Sequence, residues 1–218
     1  MYQIFPDRFA RDSSATAQRG MEHHRRMGQT VHCHAGWDEP VEWQANTPEG
    51  EYAPVDFYGG TLRGIADRLH YLQKLGVTVL YLNPIFESAS NHRYDTGDYR
   101  KVDPILGTNA DFKKLCAAAA DCGIRIVLDG VFNHCGYYWP PFQDVVRNGE
   151  SSGYASWFFP QSFPVNEKLE TAKDAAHKLG VNPGIDPFMT LSFMALPVIP
   201  SLRITTRGVF DVTTQSYV

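Results

Sequence analysis

Twice along this chain a segment of helical period stops at a glycine and the next residue opens an apolar run. In the first, Leu62, Ile65, Leu69, Leu72 and Leu75 recur at three- and four-residue spacing after Thr61. Arg63, Asp67, Arg68 and Lys74 take the opposite face, and Gly76 stands where the helix would end. Val77 to Leu82 follows as a buried strand, punctuated by Asn83-Pro84. In the second, Thr108 lies three residues before Asp111 as in a capping box. Phe112, Leu115, Cys116, Ala119 and Ala120 mark a buried stripe, and Gly123 leads into Ile124 to Leu128. Tyr2 to Phe5, stopped by Pro6-Asp7, makes an earlier strand. Strand, helix, strand, helix, strand implies parallel pairing through crossovers, in either a barrel or a doubly wound sheet.

The loops decide between these two. Residues 10–58 and 84–107 lack a clear period and both follow strands, whereas the helix-to-strand joints at Gly76 and Gly123 have almost no residues. A (β/α)8 barrel divides its site loops from its stability loops in this way. No G-x-G-x-x-G follows a strand, so a dinucleotide fold loses its main support. The expected class is α/β: a partial (β/α)8 TIM barrel, its first three to four β/α units, with long loops after the strands. Its strands are expected to be buried on both faces, and polar residues at their carboxyl ends to face a ligand. Asp129-Gly130-Val131-Phe132-Asn133-His134 closes the Ile124 to Leu128 run, and chemistry is expected there. The plainer alternative is a turn capped by Asp129 and a surface histidine at His134.

With 218 residues, 43% hydrophobic and 13% aromatic, the chain can bury a sizeable core. A formal net charge of −4 provides no basic field, so neither nucleic acid nor an anionic membrane surface is an expected partner. No stretch approaches membrane-spanning length, and Met1 to Phe9 has neither the basic nor the apolar region of a signal peptide. The chain opens inside a strand, so a natural amino terminus is expected to precede it. Cys33, Cys116, Cys122 and Cys135 form no C-x-x-C pair and read as free thiols or small buried groups. That points to a reducing compartment, and the cytoplasm is the expected location.

Five blocks then carry a family likeness, in order: Tyr2-Gln3-Ile4-Phe5-Pro6-Asp7-Arg8-Phe9, Tyr58 to Ile65, Leu75 to Phe86, Asn91-His92-Arg93-Tyr94-Asp95-Thr96-Gly97-Asp98-Tyr99, and Asp129 to His134. Together they resemble the α-amylase family of glycoside hydrolases, most nearly its neopullulanase and cyclomaltodextrinase branch. The likeness covers about residues 1–165; residues 166–218 read as a divergent tail, out of frame or disordered. The resemblance implies cleavage of α-glucosidic linkages of starch-derived glucans by a retaining mechanism. That mechanism needs two carboxyl groups about 5 to 5.5 Å apart, one as nucleophile and one as acid and then base. In the family these follow the fourth and fifth strands. No G-x-R-x-D block and no following glutamate strand is found after residue 165. The catalytic carboxylates are therefore expected to lie outside these residues, and the chain alone to be inactive.

The resemblance assigns the remaining roles residue by residue. His134 matches a histidine that donates a hydrogen bond to the sugar beside the cleaved linkage. Tyr94 matches an aromatic residue that stacks on the same sugar, and Asp95 lies next to it as an acceptor. Asp129 matches a buried aspartate that braces the site. Asn133 matches a position that coordinates a structural calcium in many members. No metal site is assigned here, because the segment from Ala10 to Gln18 offers too few oxygens, and no cofactor is expected, with calcium the one weakly supported alternative. A glucan oligosaccharide is the expected partner, with a homodimer open for the intact parent enzyme.

Several groups remain ambiguous from sequence. His23, His24, His32, Cys33 and His34 fit no zinc spacing. Trp37, Trp43, Tyr52, Phe57 and Tyr58 either line a sugar cleft or pack. Tyr137, Tyr138 and Trp139, close after His134, have the better claim to a cleft. The rival function is a non-catalytic or vestigial carbohydrate-binding fragment.

Overall fold

The computed structural model describes residues 1–46, 48, 50, 52–132 and 135–158, and the backbone alone of residues 210–211 and 216–217. Strand β1 is Tyr2–Ile4, followed by a single 3-10 turn, Pro6–Arg8. Helix α1 is Thr16–Arg26, and two short strands follow, β2 His32–Cys33 and β3 Asp56–Phe57, paired in parallel. Helices α2 Leu62–Asp67 and α3 Leu69–Lys74 lead to β4 Val79–Leu82. Strands β5 Phe86–Ser88 and β6 Thr96–Val102 pair with each other, and α4 Asn109–Asp121 precedes β7 Arg125–Leu128. Helix α5 is Pro140–Asn148, and β8 Phe210–Asp211 pairs antiparallel with β9 Ser216–Tyr217.

The expected strand-helix alternation is present as a three-stranded parallel sheet in the order β1-β4-β7. Both helix-to-strand joints are Schellman turns. After α3, the Gly76 N–H donates to Gln73 O at 2.9 Å and the Val77 N–H to Leu72 O at 3.1 Å. After α4, the Gly123 N–H donates to Ala120 O at 2.9 Å and the Ile124 N–H to Ala119 O at 2.8 Å. Gly76 has φ +76° and Gly123 φ +69°, the left-handed conformation that this turn demands and that glycine adopts at least cost. At the start of α4 the capping box forms: the Asp111 N–H donates to Thr108 Oγ1 at 3.2 Å and the Thr108 N–H to Asp111 Oδ2 at 3.0 Å.

The helices cover one face of the sheet. Ile4, Leu80 and Leu82 point into a core shared with Leu62, Ile65, Leu69 and Leu72 of α2 and α3, and with Phe112, Leu115 and Ala119 of α4. Strands buried on both faces were expected, and here the structure differs. Alternate residues lie on the other face, where Tyr81 is half-buried and Val127 is 42% exposed. Among the described residues the sheet stays open; no closed barrel is formed.

Three further expectations need correction. The predicted single helix over 61–76 breaks at Arg68, where the Arg68 N–H bonds Ile65 O, three residues back. Leu75 ends α3 and is exposed, as is Ala120 on α4; Ala118 packs on the core instead. The two long loops are not structureless. Residues 10–58 hold α1, β2 and β3, and residues 84–107 hold β5 and β6. Helix α1 packs Ala17 and Met21 on Phe57 and Ile105. A Cβ on Gly20 would lie 2.2 Å from the Ile105 nitrogen, so the helix can sit this close to that backbone only with glycine there.

The chain divides into two units, Met1–Tyr94 with Asp98–Gly130 and Val209–Val218, and Asp95–Gly97 with Val131–Gly208. The first holds the sheet and its helices. In the second, Phe142, Val145 and Val146 of α5 are buried with Phe158, and the Trp139 ring meets those of Trp157 and Phe158 at 6.0 and 5.9 Å.

Candidate functional site

Beyond the carboxyl ends of β4 and β7 the ladder continues for one more residue. The Asn83 N–H donates to Ile4 O at 3.0 Å and the Asp129 N–H to Leu82 O at 2.9 Å, so both backbones are fixed where the strands end. Tyr94 reaches this edge from the loop between β5 and β6, and its hydroxyl donates to Asp129 Oδ2 at 2.7 Å. Burial, and then the neighbouring carboxylate of Asp129, push the Tyr81 hydroxyl above its ordinary range. Asn83 Nδ2 approaches the Tyr94 hydroxyl oxygen at 3.5 Å, and Gln3 Nε2 donates to Asn83 Oδ1 at 2.9 Å. Polar contacts therefore run without a break from β1 across β4 to β7. Burial, and then the hydrogen bond and negative charge of Asp129, push the Tyr94 hydroxyl well above its ordinary range. Its ring remains a neutral, flat surface.

The segment before Tyr94 is tied down heavily. Asn91 Nδ2 donates to Asp56 Oδ1 at 2.7 Å and to Asp56 O at 3.0 Å. Arg93 is buried at φ +62°, donates from Nη1 to Asn91 O at 2.7 Å, and pairs with Asp103 at 3.3 Å. His24 stands 3.3 Å from the same carboxylate. His92 Nδ1 accepts the Tyr94 N–H at 3.0 Å and lies 3.0 Å from Ser90 Oγ. Asp56 in turn meets Arg8 at 3.4 Å and His34 at 3.2 Å.

Among the described residues the fully buried carboxylates Asp7, Asp56 and Asp103 are all engaged. Asp7 accepts the N–H groups of Tyr58 and Gly59 at 2.9 and 3.1 Å, although burial pushes its carboxyl up. Asp56 and Asp103 are held by the cations and amides just described. Among the described residues no three His, Cys, Asp or Glu side chains converge as a metal site. His32 pairs with Glu42, His34 with Glu39 and Asp56, and His24 with Asp103.

Of the residues singled out in the sequence, Tyr94 and Asp129 are brought together. Asp95 belongs to the second unit, where its carbonyl oxygen would lie 2.2 Å from a Cβ on Gly136. Asn133 and His134 lie outside the described residues, as does residues 166–218 apart from the backbone of β8 and β9. Tyr137 and Trp139 pack in the aromatic group around α5, and Tyr138 is 65% exposed. Phe57 and Tyr58 are core residues, whereas Trp43 is 76% exposed. Sequence reasoning missed Gln3, Tyr81 and Asn83. Their signal was period two: Asn83, one residue past the end of β4, alternates with Tyr81, and Gln3 is level with Tyr81 on the next strand.

Comparison with known proteins agrees with this layout. The model described as "Alpha amylase, catalytic domain" matches residues 3–178, past the point near residue 165 where the motif blocks fade. A second, "Adenine deaminase C-terminal domain", matches residues 161–216, almost all of them outside the described residues. The chain is 42% identical over 164 residues to a cyclomaltodextrinase of Geobacillus thermopakistaniensis, covering 75% of this chain and 24% of that protein. It is 40% identical over 171 residues to neopullulanase 2 of Thermoactinomyces vulgaris, covering 78% and 26%. The type III pullulan hydrolase from Thermococcus kodakarensis superposes with a TM-score of 0.67 at 32% identity, over 92% of this chain and 32% of that one. The chain thus spans about a quarter of the length of these curated relatives. Its three parallel strands, with the helices between them, are part of a (β/α)8 barrel plan, and the chain belongs to the alpha-amylase catalytic-domain family.

Proposed function

We propose that this chain supplies a glucan-gripping wall of a glycoside hydrolase that cleaves α-glucosidic linkages of starch-derived glucans with retention. By itself it holds sugar without cutting it. One observation carries the reading: the 2.7 Å bond from the Tyr94 hydroxyl to Asp129, at the carboxyl end of parallel strands, holds a neutral aromatic ring where ligands of such scaffolds bind. A flat ring suits the apolar C–H face of a pyranose, and amides beside it suit the hydroxyls. His134 would donate to the same sugar and Asp95 would accept from it, by their match to the family motif. The names of the relatives, cyclomaltodextrinase and neopullulanase, support α-glucans as the substrate class. A reducing, intracellular setting is part of the reading, supported by four free cysteines.

The absence of cleavage is part of this reading, and a chemical requirement supports it. Retention requires two opposed carboxyl groups about 5 to 5.5 Å apart. The buried carboxylates Asp7, Asp56 and Asp103 are each taken up by backbone N–H groups, amides or cations. This also favours the second reading, a purely sugar-binding fragment. The test is a titration of the chain with maltotriose. Saturable binding is expected, and Tyr94→Ala, which removes a contact of about 1.4 kcal/mol, should weaken it about tenfold. Equal affinity of the two proteins would remove Tyr94 from the site.

A further inference from the structure

Asn83 matches no role carried over from the family motifs, yet its side-chain amide lies beside the hydroxyl oxygen of Tyr94. The Tyr94 hydroxyl has one proton and gives it to Asp129 at 2.7 Å. Its oxygen can still accept, and Asn83 Nδ2 lies within 3.5 Å. A carboxamide has two orientations of nearly equal shape, and only its partners choose between them. Here the Tyr94 oxygen, its own proton given to Asp129, takes the NH2 group of Asn83, and Gln3 Nε2, donating to Asn83 Oδ1 at 2.9 Å, holds the carbonyl toward β1. The backbone of Asn83 is anchored as well, since its own N–H is bonded to Ile4 O.

We propose that Asn83, oriented by Gln3, is a positioning residue that sets the Tyr94 ring in the attitude needed to receive a glucose unit. The proposal rests on the reading of Tyr94 as the glucan contact. A phenol bonded only through its proton can still tip about that bond. Holding the same oxygen from β4 as well removes that freedom before sugar arrives, which lowers the ordering cost of binding.

The test compares Asn83→Asp, Asn83→Ala and Gln3→Leu in the full chain. Asn83→Asp keeps the size of the side chain and the acceptor for Gln3, but has no proton to offer Tyr94. Maltotriose binding should fall about three- to tenfold in Asn83→Asp and to a similar extent in Asn83→Ala. Gln3→Leu should fall less, and combining it with Asn83→Asp should add little. Folded Asn83→Asp chain that binds as tightly as the original overturns the proposal. A readout independent of sugar is the side-chain NH2 resonance of Asn83 in a 15N-labelled chain. Tyr94→Phe should move it while leaving the backbone resonances of β4 in place, and an unmoved signal also overturns the proposal. A moved signal in a chain that binds no maltotriose instead overturns the glucan reading of Tyr94 and leaves the Asn83 contact standing.

Discussion

Arg93 is the residue on which the loop before Tyr94 turns. It holds a left-handed backbone, which costs a non-glycine residue on the order of 1 kcal/mol, and it is buried with its charge. The compensation is its pair with Asp103. Burial pushes the Asp103 carboxyl up, but Arg93, then His24 and the Ile105 N–H, outweigh it and hold it below the ordinary 3.8. A carboxyl lowered in the folded state contributes stability that is complete above its unfolded value and is lost as pH falls through the lower folded value. Asp7, raised by burial, works the other way, since folding favours its protonated form. Arg93→Met should therefore cost about 3 to 5 kcal/mol at neutral pH, because it strands a buried carboxylate. It should also reverse the local trend, regaining stability at acid pH as Asp103 takes up a proton. Urea unfolding at two pH values checks this, and an unchanged acid dependence would contradict it. None of this network was legible in the sequence, because its members lie far apart along the chain: Arg93 and Asp103 are separated by ten residues and Asn91 and Asp56 by thirty-five.

At the scale of elements, sequence reading worked where burial falls on one stripe of apolar residues. Helix α4 has Phe112, Leu115 and Ala119 facing the core, a capping box before them and a glycine stop after them, each visible in the sequence. Thr108→Ala should cost about 1 kcal/mol through the lost cap. Gly123→Ala should cost about 1 kcal/mol by strain alone, because a Cβ there meets nothing within 4 Å and the penalty lies in φ +69°. Thermal unfolding of the two variants and of the double variant checks both, and losses near zero would mean that neither end of α4 is rigid. Helix α1 was illegible for a related reason. Its buried positions Ala17, Gly20, Met21 and His24 have perfect helical spacing, but glycine and histidine carry no apolar signal. Strand β6, Thr-Gly-Asp-Tyr-Arg-Lys-Val, hid in the same way behind its charges. The break at Arg68 left no mark in the apolar pattern, which runs on through it from Leu62 to Leu72.

For the whole molecule, the sheet β1-β4-β7 has helices on one face and an open surface bearing Tyr81 and Val127 on the other. The alternation of strands and helices, the parallel pairing and the short joints were readable from period and punctuation. The expectation of burial on both faces failed because an apolar run reports what a strand is suited to face, and cannot report which surface is covered. Among the described residues no helix is long and apolar enough to cross a membrane. On the proposed function this polypeptide grips α-glucan through Tyr94, while Asp7, Asp56 and Asp103 hold the fold. The most direct measurement is release of reducing ends from maltodextrin, cyclodextrin and pullulan by the purified chain. No release above the buffer rate is the predicted result, and sustained turnover by this polypeptide would contradict it.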